Sequence, residues 1–245
     1  GMRNWHPFLA ETLDEMARSG VRRAIGFIAA AQRSYSSCLQ YKENVRDARR
    51  ELRRRGLPDV QVTYVDDWHA HPGLIEANAQ HVREAWGRLP ASSRSKARLV
   101  FTAHSIPIPM ADAYPYREQL TAAAGLVASK AGMPDWTLVY QSRSGRPDDP
   151  WLEPDICDYW RAERARGLEA AVVCPIGFLS EHIEVLYDLD RQAMAVAQEV
   201  RLVMTRARTV GDSPLFLDAM ADIVRQTHRR YERGLPLPIV PLDAS

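Results

Sequence analysis

The feature that most constrains this chain is a strict alternation. Short runs rich in apolar and β-branched residues are separated by longer amphipathic stretches, from one end to the other. Residues 23–30 (RAIGFIAA), 60–65 (VQVTYV), 97–103 (ARLVFTA), 136–140 (WTLVY), 169–174 (EAAVVC) and 201–204 (RLVM) read as strands. Residues 7–19, 36–55, 72–87, 115–131, 154–166, 180–200 and 214–233 carry apolar residues at helical spacing. Pro7 suits the first turn of its helix, and Gly20 and Gly56 close the first two helices. Strands alternating with helices imply an α/β fold with a mainly parallel sheet covered on both faces.

The strands divide unevenly about the polar loop at 91–96 (ASSRSK), with two before it and four after. Residues 93–212 can form a complete small doubly wound lobe. Residues 1–92 read as a first lobe short by about two strands, and a two-stranded parallel sheet is marginal alone because its edges stay open. Residues 213–245 read as a C-terminal helix and tail that packs back on the first lobe. The open edges make a homodimer a plausible arrangement.

Composition excludes several classes. A net charge of +1 argues against a general nucleic-acid binder, and the cluster Arg49, Arg50, Arg53, Arg54 and Arg55 falls at the end of a helix, where cations suit the dipole. No apolar run reaches the roughly 20 residues that span a bilayer. Cys38, Cys157 and Cys174 form no disulfide framework, which fits a reducing cytoplasm. The sequence contains no dinucleotide fingerprint, phosphate loop, HExxH or GxSxG.

In an open parallel sheet, ligands bind outside the carboxyl ends of the strands. Three segments follow strands directly. In Thr102-Ala103-His104-Ser105-Ile106-Pro107 an apolar strand runs into a histidine, the common proton acceptor and metal ligand near neutral pH. On its own this is also what a structural histidine looks like. In Tyr140-Gln141-Ser142-Arg143-Ser144-Gly145, followed by Trp151, a polar loop and an aromatic could line a pocket for a flat ligand, or form an ordinary strand-to-helix loop. In Pro175 to Asp188, Ser180 suits an N-cap and the acids suit the helix dipole. Glu184 and Asp188 are four apart and share a face. With Glu181 and His182 they make a candidate row of ligands for a divalent cation or for protons. His69 and His71 read as a loop approaching a helix, and His6, His81 and His228 receive no role.

Together these segments resemble the ferrochelatase family. Thr102–Pro107 is similar to its AHS-[LIV]-P motif, Tyr140–Gly145 with Trp151-Leu152 to its QSR-x-G…WL segment, and Pro175–Asp188 to its P-[IV]-[GA]-F-x-S-[DE]-H-[IL]-E signature. Trp5-His6-Pro7-Phe8 and Ser34–Tyr41 resemble its upstream segments, so the likeness covers nearly the whole chain. The resemblance implies two doubly wound, Rossmann-like parallel-sheet lobes of chelatase type, the first one incomplete here, with a porphyrin cleft between them. Family members begin with a glycine-containing strand and further elements ahead of the WHPF-like helix, in line with the strand count.

The resemblance also implies function. The expected activity is insertion of ferrous iron into a porphyrin, either coproporphyrin or protoporphyrin, by a cytoplasmic enzyme of heme biosynthesis. His104 and Glu184 are the implied catalytic pair facing the cleft. With Asp188 they are the implied metal-contacting residues, and Asp188 continues the acidic path. Tyr35, Tyr114, Tyr116, Gln141, Ser142 and Trp151 are the implied contacts to the macrocycle. Ferrous iron is substrate and no tightly bound cofactor is expected. With no cysteine after Cys174, no iron–sulfur cluster is expected either. Gln192 stands where the family usually has a third acid, which puts an outer metal site in doubt. Two other readings stay open: a sirohydrochlorin-type chelatase, and a porphyrin- or metal-binding remnant without turnover.

Overall fold

The apolar runs sort into two separate parallel sheets. The computed structural model describes residues 1–146, 148–235 and 237, and divides into two units: residues 1–67 with those from Met220 onward, and Trp68–Ala219.

In the first unit, α1 (Leu9–Arg18) starts where the backbone N–H of Phe8 donates to Glu11 Oε2 at 2.8 Å. It buries Leu13 and Ala17 and ends near Gly20, whose φ of +86° suits glycine. Then come β1 (Arg23–Gly26), a π-helical turn (Tyr35–Leu39), α2 (Gln40–Arg54) and β2 (Gln61–Tyr64). The two strands pair in parallel, from Arg23 opposite Gln61 to Gly26 opposite Tyr64. The strand expected to continue to residue 30 stops at Gly26, because its partner ends there. Leu13, Ala17, Ala48, Leu52, Val60, Val62 and Tyr64 form the core. The arginines of α2 are paired: Arg49 forks onto Asp59 at 3.0 and 2.8 Å, Arg54 onto Glu51, and Arg55 reaches Asp14.

The second unit contains α3 (Pro72–Arg88), α4 (Ala91–Arg94), β3 (Ala97–His104), α5 (Ile108–Ala113), α6 (Tyr116–Ala131), β4 (Trp136–Gln141), α7 (Ile156–Ala165) and β5 (Ala170–Cys174). After these come α8 (Ile183–Tyr187), a π-helical segment (Asp188–Ala193), α9 (Met194–Glu199) and β6 (Val203–Arg206). The last helix, α10 (Pro214–Glu232), begins here. His71 caps α3, accepting from the Gly73 N–H at 3.2 Å, and Phe216 stacks on Trp68.

The four strands are parallel in the order β4-β3-β5-β6. Both faces are covered, which is why the strands read as near-continuous apolar runs. Leu99, Phe101, Ala103, Val172 and Cys174 pack into one core with α3 and α6. Val100, Val139, Ala171 and Val173 pack into the other with Trp160, Val185, Leu189 and Ala197. Each large apolar side chain buried this completely stabilises the unit by about 1.5–3 kcal/mol.

Further details depart from the sequence reading, among them a short helix, α4, within the loop read at 91–96. The connection from β3 to β4 contains an extra short helix, α5. The single helix expected over 180–200 begins at Ile183 and widens into π geometry at Asp188 before resuming. Among the described residues, no helix is long and apolar enough to cross a membrane.

Candidate functional site

The strand order places the site. β3 feeds its loop toward β4, while β5, on its other side, feeds its loop toward β6. The two loops diverge, and the crevice between them is where open α/β sheets bind ligands. His104 ends β3, and the loop after β5 leads to Glu184 on α8.

His104 is held firmly. Its carbonyl accepts from the Tyr116 hydroxyl at 3.1 Å. Next to it, the Ser105 N–H donates to the Gln141 carbonyl at 2.8 Å, and the Ser105 hydroxyl donates to the Leu152 carbonyl at 2.8 Å. The imidazole Nδ1 lies 2.5 Å from the Ser105 carbonyl, so Nδ1 carries a proton and donates it. Nε2, the other ring nitrogen, lies 3.6 Å from Glu184 Oε1 and carries the lone pair in the neutral ring. A proton on Nε2 or a cation between the two groups can join them.

Gly177 explains how the β5 loop comes so near. A Cβ at this position would lie 2.7 Å from Ala103 Cβ and 2.8 Å from Ala103 Cα, closer than side chains tolerate. The Gly177 N–H instead donates to the Thr102 carbonyl at 3.1 Å, stitching the loop to β3 two residues before His104.

The end of β4 supports the acids. Gln141 is buried, and its amide donates to the Glu184 carbonyl at 3.0 Å and reaches Asp188 Oδ2 at 3.5 Å. Ser142 adopts φ +59°, a left-handed conformation costly for a residue other than glycine, and its hydroxyl donates to Asp188 Oδ2. A cavity of about 440 Å³ opens beside this pair, lined also by Asp155, Cys157, Arg161 and Gln192. Burial pushes the Cys157 thiol up to about 12, so it stands there protonated. Two larger cavities, of about 540 and 590 Å³, lie in the first unit, and no carboxylate is among their described lining residues.

His104, Glu184, Asp188, Gln141 and Ser142 therefore come together in the second unit. Tyr116 lies beneath them, buried, and desolvation raises the pKa of its phenol well above the ordinary value. Tyr114 is half-buried between α5 and α6. The Trp151 ring lies against Gly145, with the Arg143 guanidinium 5.9 Å from its centre, and its indole N–H is buried without a partner. Tyr35 belongs to the first unit, and its hydroxyl donates to Glu43 at 3.1 Å.

The row of ligands read from Glu181 to Asp188 is broken at its start. Glu181 and His182 precede α8. The His182 ring meets Phe178 edge to face, and Glu181 Oε1 accepts from Arg206 at 3.0 Å and from the Thr209 N–H at 2.9 Å. Arg206 was not singled out from the sequence. It closes β6, so the strand-end rule that flagged His104 would have found it. Its guanidinium forks onto Asp190 at 2.6 and 2.7 Å. Burial opposes its charge, but the hydrogen bonds to Asp190 and Glu181 hold its pKa above the ordinary value. Among the described residues, no three His, Cys, Asp or Glu side chains converge as a metal cage.

Comparison with solved structures gives the class. The sirohydrochlorin chelatase SirB of Bacillus subtilis, in a structure with Fe3+, matches 94% of this chain and 81% of its own at a TM-score of 0.65 and 13% identity. A cobalt complex of SirB from the same species, subspecies spizizenii, matches 95% and 80% at a TM-score of 0.63 and 11% identity. The chain thus shares the α/β fold of these two structures. The family model "Ferrochelatase" matches residues 1–228. The coproporphyrin III ferrochelatase of Nocardia farcinica is 44% identical over 92% of this chain and 66% of its own length. That of Streptomyces coelicolor is 41% identical over 100% and 70%. The ferrochelatase of Rhodopirellula baltica is 42% identical over 92% and 64%. The chain belongs to the ferrochelatase family, and it spans about two thirds of the length of these relatives.

Proposed function

We propose that this chain carries the metal-inserting site of a ferrochelatase acting on coproporphyrin III, the substrate named for its relatives from Nocardia farcinica and Streptomyces coelicolor. The observation that carries the reading is the approach of His104 Nε2 to Glu184 Oε1, 3.6 Å apart, with Nδ1 turned away to the Ser105 carbonyl.

The chemistry requires two N–H protons to leave the macrocycle as a divalent ion enters, so charge is conserved in the exchange. His104 Nε2 takes a proton from a pyrrole nitrogen, because its Nδ1 is already committed to the Ser105 carbonyl. Glu184 stabilises the resulting imidazolium, and the proton moves on to Asp188, one turn along the helix. Ferrous iron, a substrate, meets the same imidazole and carboxylate, which suit it as borderline and hard ligands. Gln141 and Ser142 hold the two acids in place, Tyr116 fixes the backbone of His104, and Tyr114 and Trp151 contact the macrocycle. A cytoplasmic location fits three cysteines that stand as free thiols. Pairing of two chains through the open edges of the β1–β2 sheet is the oligomer this reading favours.

The test is anaerobic insertion of ferrous iron, or of zinc followed by fluorescence, into coproporphyrin III, protoporphyrin IX and sirohydrochlorin. His104→Ala and Glu184→Ala should each lower kcat by at least about 100-fold, the scale of a lost general base. Retention of most activity by both variants sinks the assignment. Porphyrin binding without insertion by the unmodified chain would favour a binding role, and preference for sirohydrochlorin would move it to the other chelatase class.

A further inference from the structure

We infer that Arg206 is a positioning residue that sets the geometry of Glu184 and Asp188 by clamping both ends of the segment that carries them. The inference rests on the site proposed above.

The segment cannot hold its own shape. α8 has five residues, far fewer than an isolated helix needs, and its N-cap residue His182 makes no side-chain capping bond. It leads directly into π geometry at Asp188–Ala193, where backbone hydrogen bonds are less favourable. Buried Val185, Leu189 and Ala193 anchor the inner face by apolar contact, which does not specify where a π turn begins, and the bonds from Gln141 and Ser142 reach only Glu184 and Asp188, short of the body of that turn.

Arg206 supplies that specification. Its side chain is 12% exposed and projects from the end of β6, an edge strand held by parallel pairing to β5. Nε and Nη2 grip both oxygens of Asp190, inside the π turn, at 2.6 and 2.7 Å. Nη1 grips Glu181, just before α8, at 3.0 Å, and also the Ala207 carbonyl at 3.0 Å. Glu184 and Asp188 lie between the two gripped positions. Planar, bidentate contact fixes direction as well as distance, and a lysine could not reproduce it. Without the guanidinium, Asp190 would lose its fork and Glu181 would keep only its bonds from Thr209, and the turn could shift its hydrogen-bond register, re-aiming Asp188 and Glu184 away from His104.

The clamp acts on the ion-binding face, so its loss should appear as weaker metal binding rather than fewer working molecules. The experiment compares Arg206→Gln, Arg206→Lys and Asp190→Asn with the unmodified chain. It uses the KM for zinc and for coproporphyrin, and a separate titration with Co2+ followed by its visible absorption. Arg206→Gln should raise the zinc KM and weaken Co2+ binding by at least about 10-fold, with the porphyrin KM changed less than about 2-fold. Arg206→Lys and Asp190→Asn should fall between it and the unmodified chain. A purely structural arginine would lower the folded fraction and kcat while leaving both metal constants unchanged, and that result overturns the clamp. Should Arg206→Gln fail to fold, Asp190→Asn decides by the same readouts. Absence of turnover in the unmodified chain would count against the proposed reaction, and the Co2+ titration would still judge the clamp: equal Co2+ affinity in all proteins, including none, overturns it.

Discussion

Gly177→Ala tests the packing that brings the β5 loop to His104. A new methyl group would start 2.7 Å from Ala103 Cβ and 2.8 Å from Ala103 Cα. Ordinary carbon–carbon contact is about 3.5–4.0 Å, so the loop must retreat by roughly 1 Å. That retreat stretches the Gly177 N–H to Thr102 carbonyl bond from 3.1 Å beyond useful range. Losing the bond costs about 1 kcal/mol and the forced repacking about 1–3 kcal/mol. The stiffer unfolded chain returns about 0.4–1 kcal/mol. The expected net loss is about 1–3.5 kcal/mol, read from urea unfolding followed by tryptophan fluorescence. Because a 1 Å misplacement at a catalytic pair costs on the order of 100-fold, metal insertion should fall by about that factor in the folded variant. Ala103→Gly in the same chain removes the nearer contact and leaves the farther, so it should restore part of both losses. Unchanged stability together with full turnover in Gly177→Ala would falsify the close-approach argument.

Asp59→Asn in the first unit leaves Arg49, 7% exposed, without its charged partner, and should cost about 2–3 kcal/mol, below the full value for a buried pair because Asp59 is 28% exposed. Hydrogen bonds from Arg49 hold the Asp59 carboxyl below the usual carboxylate range. Its stabilisation is thus complete above the unfolded value near about 3.9 and fades as pH falls through the lower folded value. Urea curves of the two proteins should differ at pH 7 and converge in strong acid, and a difference that persists there would refute the linkage. Ser142→Gly relieves a left-handed backbone but loses the hydroxyl bond to Asp188. Stability should change by less than about 1 kcal/mol while metal insertion drops several-fold, whereas equal activity would remove Ser142 from the support of Asp188.

Much of this architecture is legible in the residues. Runs such as ARLVFTA and EAAVVC announce strands buried on both faces, and two strands before the polar loop with four after it is what the sheets contain. The approach of His104 and Glu184 was expected only through the family likeness, because nothing in either segment alone says that their loops diverge from adjacent strands. What stayed illegible depends on partners distant in sequence. The π turn at Asp188 follows a helical pattern in sequence, and it is gripped at Asp190 by a fork from Arg206, sixteen positions after Asp190. Glu181 looks like the first member of an acidic row until the Thr209 N–H and Arg206 turn it aside. Ser142 carries no mark of its left-handed backbone, since serine rarely adopts one.

The tether on His104 has a further consequence. Its anchor is a main-chain oxygen of the next residue, so the ring's aim is inherited from the turn at 105–107 and cannot be deleted by changing any other side chain. Opposite it, the Glu184 carboxylate is 45% exposed and has room to swing. The pair is therefore a fixed jaw and a moving one: in the proposed reaction the ion would be met by the part that can reach outward and passed to the part that stays still.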